Sequence, residues 1–166
     1  MTKQSAGIMV YRRNGTMIEV LLVHPGGPFW AKKDAGAWSV PKGEVEADED
    51  LIRAAQREFR EETGQAAPEG TYIELGSFKR GSGKMVTAWA VEGTIDATNI
   101  HSNTTSIEWP PKSGTQLEIP EVDRARWFTL DKASAKMHKG QDVFIKRLAE
   151  KLHVELVEPP QQQTLL

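Results

Sequence analysis

Cysteine is absent from this 166-residue chain, so no disulfide framework exists, and the composition fits a reducing compartment. Histidine is scarce: four residues, scattered without paired spacing, argue against a zinc site. Charge of one sign is missing too. A net charge of −2 gives no electrostatic case for a nucleic-acid polymer or an anionic membrane as partner. No apolar run reaches membrane-span length, and the opening MTKQSAGIMVYRR lacks the apolar stretch of a secretory signal, so a cytoplasmic protein is expected. There is no internal repeat. What is present, 39% apolar and 27% charged residues, describes an ordinary globular chain whose length suits one domain with a substantial core. That domain is expected over residues 1–157. The tail EPPQQQTLL from Glu158 onward is expected to be disordered.

Residues 6–12 and 19–24 read as strands flanking the turn signal Arg13-Asn14-Gly15. The Gly- and Pro-rich stretch HPGGPFWAKKDAGA leads into a short strand, Trp38-Ser39-Val40, and then the tight tripeptide Pro41-Lys42-Gly43. A helix is expected from about Glu49 to Thr63, with Asp48 as N-cap and Gly64 as the left-handed residue after its end. Leu51, Ala55 and Phe59 supply its apolar stripe. Residues 72–80 and 84–92 read as a hairpin around Gly81-Ser82-Gly83, and residues 126–130 as a last strand. Residues 93–121, containing Trp109-Pro110-Pro111-Lys112-Ser113-Gly114, show weak periodicity and read as a long loop, usually a functional feature. A final helix turns Val143, Phe144, Leu148 and Leu152 toward the core.

The densest chemistry lies inside the first helix. Glu58 precedes Glu61 by three residues and Glu62 by four, the spacings that put side chains on one helical face. Three carboxylates on one turn repel each other, and helix stability gains nothing from them. A divalent cation such as Mg²⁺ does want them, because it takes hard oxygen ligands together with substrate phosphates. The plain alternative is a solvated acidic face balanced by Arg53, Arg57 and Arg60. It leaves Gly43, Glu49 and Gly64 unexplained.

The segment GEVEADEDLIRAAQREFREETGQ resembles the signature of the Nudix hydrolases, G-x5-E-x7-R-E-U-x-E-E-x-G-U with U apolar. Gly43, Glu49, Arg57, Glu58, Glu61, Glu62 and Gly64 all match; Gln65, in the last apolar position, is the departure. The resemblance implies an α/β/α sandwich around a mixed β-sheet. It implies a Mg²⁺- or Mn²⁺-dependent enzyme hydrolysing a diphosphate linkage in a nucleotide. Glu58 and Glu62 then hold metal, Glu61 supports them, and the backbone carbonyl of Lys42 is a further ligand. Arg57 orients Glu58 and so counts with the catalytic group, while Glu49 supports the loop and helix. The general base is either Glu58 or a glutamate before the late strand, where Glu118 and Glu121 stand; counting back from Arg126-Trp127 selects Glu121, also a candidate metal ligand.

Substrate contacts follow from residue type. Bases stack on aromatics and phosphates meet Arg or Lys. Phe29, Trp30, Trp109 and Phe128 are the candidate platforms, and Trp30 and Trp109, in loops beside Gly and Pro, are better placed than Trp38 or Trp127. Arg12, Lys42, Arg80 and Lys84 are the phosphate candidates, and His24 reads as a strand-end residue. Trp38-Ser39-Val40 with Pro41-Lys42-Gly43 resembles members acting on dinucleoside polyphosphates or oxidised nucleoside triphosphates. Capped RNA and diphosphoinositol phosphates fit less well without a basic balance. The rival reading is a non-catalytic nucleotide sensor of the same fold, against which stands the full set of carboxylates. The partner is thus a small nucleotide, met by a monomer or homodimer.

Overall fold

Ile8, Met9, Val10 and Tyr11 are all buried, and that run organises the molecule. A strand alternates its side chains between faces, so a continuous apolar run requires cover on both. In the computed structural model, which describes residues 3–156, strand β1 (Gln4–Asn14) sends Ile8 and Val10 into one core cluster and Met9 and Tyr11 into the other. It lies centrally in a mixed sheet of order β4-β5-β1-β2-β8, with β3 also paired to β1. These strands are β2 (Met17–Pro25), β3 (Lys42–Glu44), β4 (Ile73–Lys79), β5 (Met85–Glu92) and β8 (Val122–Thr129). The β1–β5 pair is parallel and the others are antiparallel.

Helix α1 (Leu51–Thr63) covers one face, packing Ala54, Ala55 and Phe59 with Ile8, Val10, Leu21, Val23 and Val91. The other face carries α2 (Leu130–Lys136) and α3 (Asp142–Leu152), whose Phe144, Ile145 and Leu148 share a cluster with Leu22, Trp38 and Phe128. This is the α/β/α sandwich that the sequence motif implied. Among the described residues no helix is long and apolar enough to cross a membrane. The segment expected to be a disordered tail lies outside the described residues.

Several local expectations are corrected. Helix α1 begins at Leu51 with Asp50 as N-cap, whereas Asp48 holds a left-handed φ of 62° in the preceding turn. Glu49 is drawn out of the helix because its carboxylate accepts bonds from the Glu46 N–H (3.1 Å) and from Arg57. Leu51 is only partly buried, at the edge of the stripe. The first hairpin turns on Gly15-Thr16, one position later than the signal suggested, with Gly15 at φ 64°. Trp38-Ser39-Val40 is not a regular strand; Ser39 bridges Val23 and Trp38 bridges Met137. Within residues 93–121 stands a second, separate hairpin, β6 (Thr104–Glu108) with β7 (Gln116–Pro120), and Trp109 to Gly114 form its tip. Its residues are almost all exposed, so neither face carries the apolar alternation that betrays a strand.

Candidate active site

Gly43 and the C-terminal half of α1 meet because β3 pairs with β1, on the face that α1 covers. A Cβ built on Gly43 would overlap the Glu58 carboxylate, with even the more distant oxygen only 2.5 Å away. The glycine is therefore required by the close approach of Glu58 itself. On the adjoining residue, the Lys42 backbone N–H donates to Glu62 Oε1 at 3.2 Å. Two of the three clustered carboxylates thus flank the Lys42–Gly43 peptide.

Arg57 binds the remaining acids together. Its Nε and Nη2 donate to the two oxygens of Glu49 at 2.8 and 2.9 Å, and Nη1 donates to Glu58 Oε1 at 2.9 Å and Glu61 Oε2 at 3.1 Å. Nη2 also donates to the Glu44 carbonyl, tying the helix to the end of β3. Glu49 falls to about 2 through its bonds from Arg57 and from the Glu46 N–H. It acts as a strut for the guanidinium that aims Glu58 and Glu61.

The far end of α1 delivers the fourth carboxylate. Gly64 ends the helix at φ 76°, its N–H on the Arg60 carbonyl, and a side chain there would strike His101. The free carbonyls of Glu61 and Thr63 then accept from the Asn103 and His101 N–H groups. The Asn103 carbonyl in turn accepts from the Glu121 N–H at 2.9 Å. This relay sets Glu121, in the one-residue link between β7 and β8, among the charges of Glu58, Glu61 and Glu62. Glu118 lies inside β7, where it accepts a bond from Thr104. Gln65 also serves this region: its side chain bonds the carbonyls of Asp96 and Asn99 and the Asp96 N–H, which explains a polar residue where the motif has an apolar one.

Removal from water raises the carboxyls of Glu58 and Glu121, and it pushes Glu62 up to about 8 against attraction from Lys42. Burial likewise lowers the Lys42 ammonium. Burial therefore works against the charged forms of both Lys42 and Glu62, while Arg57 supplies the positive charge bonded to Glu49, Glu58 and Glu61.

A cavity of about 190 Å³ opens beside this cluster. Glu62, Glu121 and Lys42 line it, with Trp30 and Arg80 from the loops and His138 from the α2–α3 link. Ser39 and Gln141 also line it, where Gln141 Oε1 accepts from the Val40 N–H and its Nε2 donates to Ser39 Oγ. The sequence held no signal for Gln141 or His138, since helix-linking residues acquire a cleft only through the packing of α2 and α3. His24 does more than end a strand. Fully buried, it bonds Asp123 (2.9 Å) and the Lys33 carbonyl (2.6 Å), fastening the Trp30 loop to β8.

Two expected substrate residues lie elsewhere. Arg12 donates to Glu19 at 2.8 Å and rests 4.1 Å from the Trp127 ring, so a partner and a platform already occupy it. Trp109 stands at the tip of the β6–β7 hairpin and does not line the cavity. Trp38 is a core residue, and Lys84 pairs with Glu44.

A family model described as NUDIX domain matches residues 1–148. No curated protein matches the chain. Among solved structures, a Caenorhabditis elegans Ap4A hydrolase binary complex is similar at 21% identity and TM-score 0.65, over 90% of this chain and 98% of that one. The NUDIX domain of Shewanella oneidensis NrtR, complexed with ADP ribose, aligns at 17% identity and TM-score 0.62, over 92% and 89%. A MutT structure from work on Aliivibrio salmonicida and Vibrio cholerae aligns at 16% and 0.54, over 89% and 96%. With the family model spanning most of its length, the chain belongs to the NUDIX domain family.

Proposed function

We propose that this protein is a Mg²⁺- or Mn²⁺-dependent hydrolase of a diphosphate linkage in a nucleoside polyphosphate, a dinucleoside polyphosphate or an oxidised nucleoside triphosphate. One observation carries the reading: Glu58 and Glu62 meet at Lys42–Gly43, within the charge influence of Glu61 and Glu121, beside a cavity lined by Glu62, Glu121, Lys42 and Arg80. The donor set fits the ion. It offers hard oxygens, burial and neighbouring carboxylates raise Glu58 and Glu62, and Mg²⁺ is usually held by one or two carboxylates plus substrate phosphates and water. Among the described residues no three His, Asp or Glu side chains are grouped to hold a metal ion by themselves, so substrate phosphates, water and the Lys42 carbonyl would complete the coordination.

Glu58 and Glu62 are the proposed metal ligands, with Glu61 beside them and the Lys42 carbonyl as a further donor. A bound ion supplies neutralisation of phosphate oxygens and a more acidic water. Arg57 keeps Glu58 and Glu61 aimed. Glu121 takes the proton of the attacking water, because Glu58 Oε1 already accepts a charged bond from Arg57, while burial raises the Glu121 carboxyl. Lys42 meets the leaving phosphate, and Trp30 offers a face to the base. The chain works in the cytoplasm as a monomer or homodimer.

The test is chromatographic analysis of the nucleotide products formed with Mg²⁺ and with Mn²⁺ from nucleoside triphosphates, dinucleoside polyphosphates and nucleoside-diphosphate sugars. Metal-dependent turnover of the first two groups is expected. Turnover without metal, or of the sugars alone, would refute the reading.

A further inference from the structure

Among the described residues, neither Lys42 nor Arg80, both on the cavity wall, makes an ion pair. Lys42 is still attracted by Glu62 and Glu58, whereas among the described residues no carboxylate within ion-pair reach returns the solvation that Arg80 loses in the cavity wall. Arg80 is nevertheless held firmly. Its Nη2 donates to His138 Nε2 at 2.9 Å. A guanidinium only donates, so that ring nitrogen accepts and His138 is neutral, its proton on Nδ1. Both partners are anchored through the backbone. The Arg80 N–H bonds the Lys84 carbonyl (2.8 Å) in the β4–β5 turn, and the His138 N–H bonds the Trp38 carbonyl (2.7 Å). A neutral partner fixes the fork and leaves its charge uncompensated.

The cavity is thus bipolar. Glu62 and Glu121 line it with Lys42, which feels both Glu62 and Arg80, and the Arg80–His138 pair adds a second cation to its wall. At about 190 Å³ it falls below the roughly 300–1,000 Å³ of pockets that enclose a whole drug-sized ligand. It suits part of a nucleotide, and an uncompensated guanidinium suits a phosphate.

We propose that Arg80, held by His138, binds a phosphate beyond the diphosphate being cleaved, so that substrates with three or more consecutive phosphates are selected over those with two. This rests on the proposed hydrolysis and names its substrate class. Nucleoside triphosphates and dinucleoside polyphosphates share the chemistry, and separate assays of each distinguish them.

The experiment compares kcat/KM on a nucleoside triphosphate, a dinucleoside tetraphosphate and ADP-ribose for the parent protein, Arg80→Gln, Arg80→Lys and His138→Ala. The parent should favour the longer chains. Arg80→Gln should shrink that preference about 10- to 100-fold, the worth of a charge-assisted hydrogen bond, mainly through KM. Arg80→Lys should restore part of it, and His138→Ala should fall between. Calorimetry with inorganic tripolyphosphate and pyrophosphate in Mg²⁺ gives a readout independent of turnover: the parent should bind tripolyphosphate more tightly, and Arg80→Gln should erase the difference. Equal affinity in the parent, or an Arg80→Gln preference matching the parent's, would overturn the assignment. A parent inert on all three substrates would instead sink the proposed hydrolysis, with tripolyphosphate binding still deciding the subsite.

Discussion

Filling the space beside Gly43 should separate folding from chemistry. Gly43 has no left-handed φ, so alanine suits its backbone and contributes about 0.4–1 kcal/mol by restricting the unfolded chain. The new methyl must displace the Glu58 carboxylate, which is the end of a flexible side chain. That displacement breaks the 2.9 Å bond from Arg57 Nη1, a charged bond worth about 1.5–3 kcal/mol, while both Arg57–Glu49 bonds survive. The net loss is about 1–2 kcal/mol, or a fall of about 2–8 °C in Tm at this chain length. Chemistry should suffer more, because a misplacement of about 1 Å at a reacting group costs on the order of 100-fold. Thermal melting and steady-state hydrolysis on one preparation of Gly43→Ala measure both. A kcat within about threefold of the parent would refute the placement of Glu58 at the chemistry. A Tm drop beyond about 15 °C would show that Gly43 serves packing instead.

The pH dependence of metal-free stability tests Glu62. Folding moves its carboxyl from the ordinary 4.5 up to about 8. Below the lower value it is neutral in both states; between the two only the unfolded chain ionises it, so its contribution is present in acid and lost as pH rises through about 8. The metal-free Tm should therefore fall more steeply from pH 5 to 8 in the parent than in Glu62→Gln, and identical slopes would contradict the burial. Glu121→Gln should lower kcat far more than it raises KM, whereas Glu118→Gln, whose amide oxygen still accepts from Thr104, should leave both near the parent's values. The reverse pattern would move the base three residues upstream. Trp30→Ala should raise KM by about 1–3 kcal/mol if its ring carries the base, and Trp109→Ala should leave KM within about twofold. A large effect at Trp109 would mean that the hairpin folds over substrate.

The box helix was legible because its signals agree. Three carboxylates at helical spacing, an apolar stripe and a terminal glycine all select the same segment and the same face. Gly43 was legible as a fixed glycine of the motif, whereas the approach of the Glu58 carboxylate that fills its space was not. Distant pairings were not legible. Glu121 reaches the cluster through Asn103 and the carbonyl end of α1, a backbone relay that side-chain pattern does not encode, and only counting from the late strand pointed to it. Arg12 and Trp109 had the right residue types, but Glu19 with Trp127 claims the first and an exposed hairpin carries off the second. Asp48 looked like a cap until Glu49 turned back to Arg57.

The central claim is that the carboxylates of Glu58 and Glu62 hold a divalent cation, and Mn²⁺ titration followed by electron paramagnetic resonance tests it without substrate. The parent should take up Mn²⁺, with a matching rise in Tm, while the folded Glu58→Gln, Glu62→Gln double variant should show neither. Equal Mn²⁺ uptake and an equal Tm rise in the double variant would contradict the account and place the ion elsewhere.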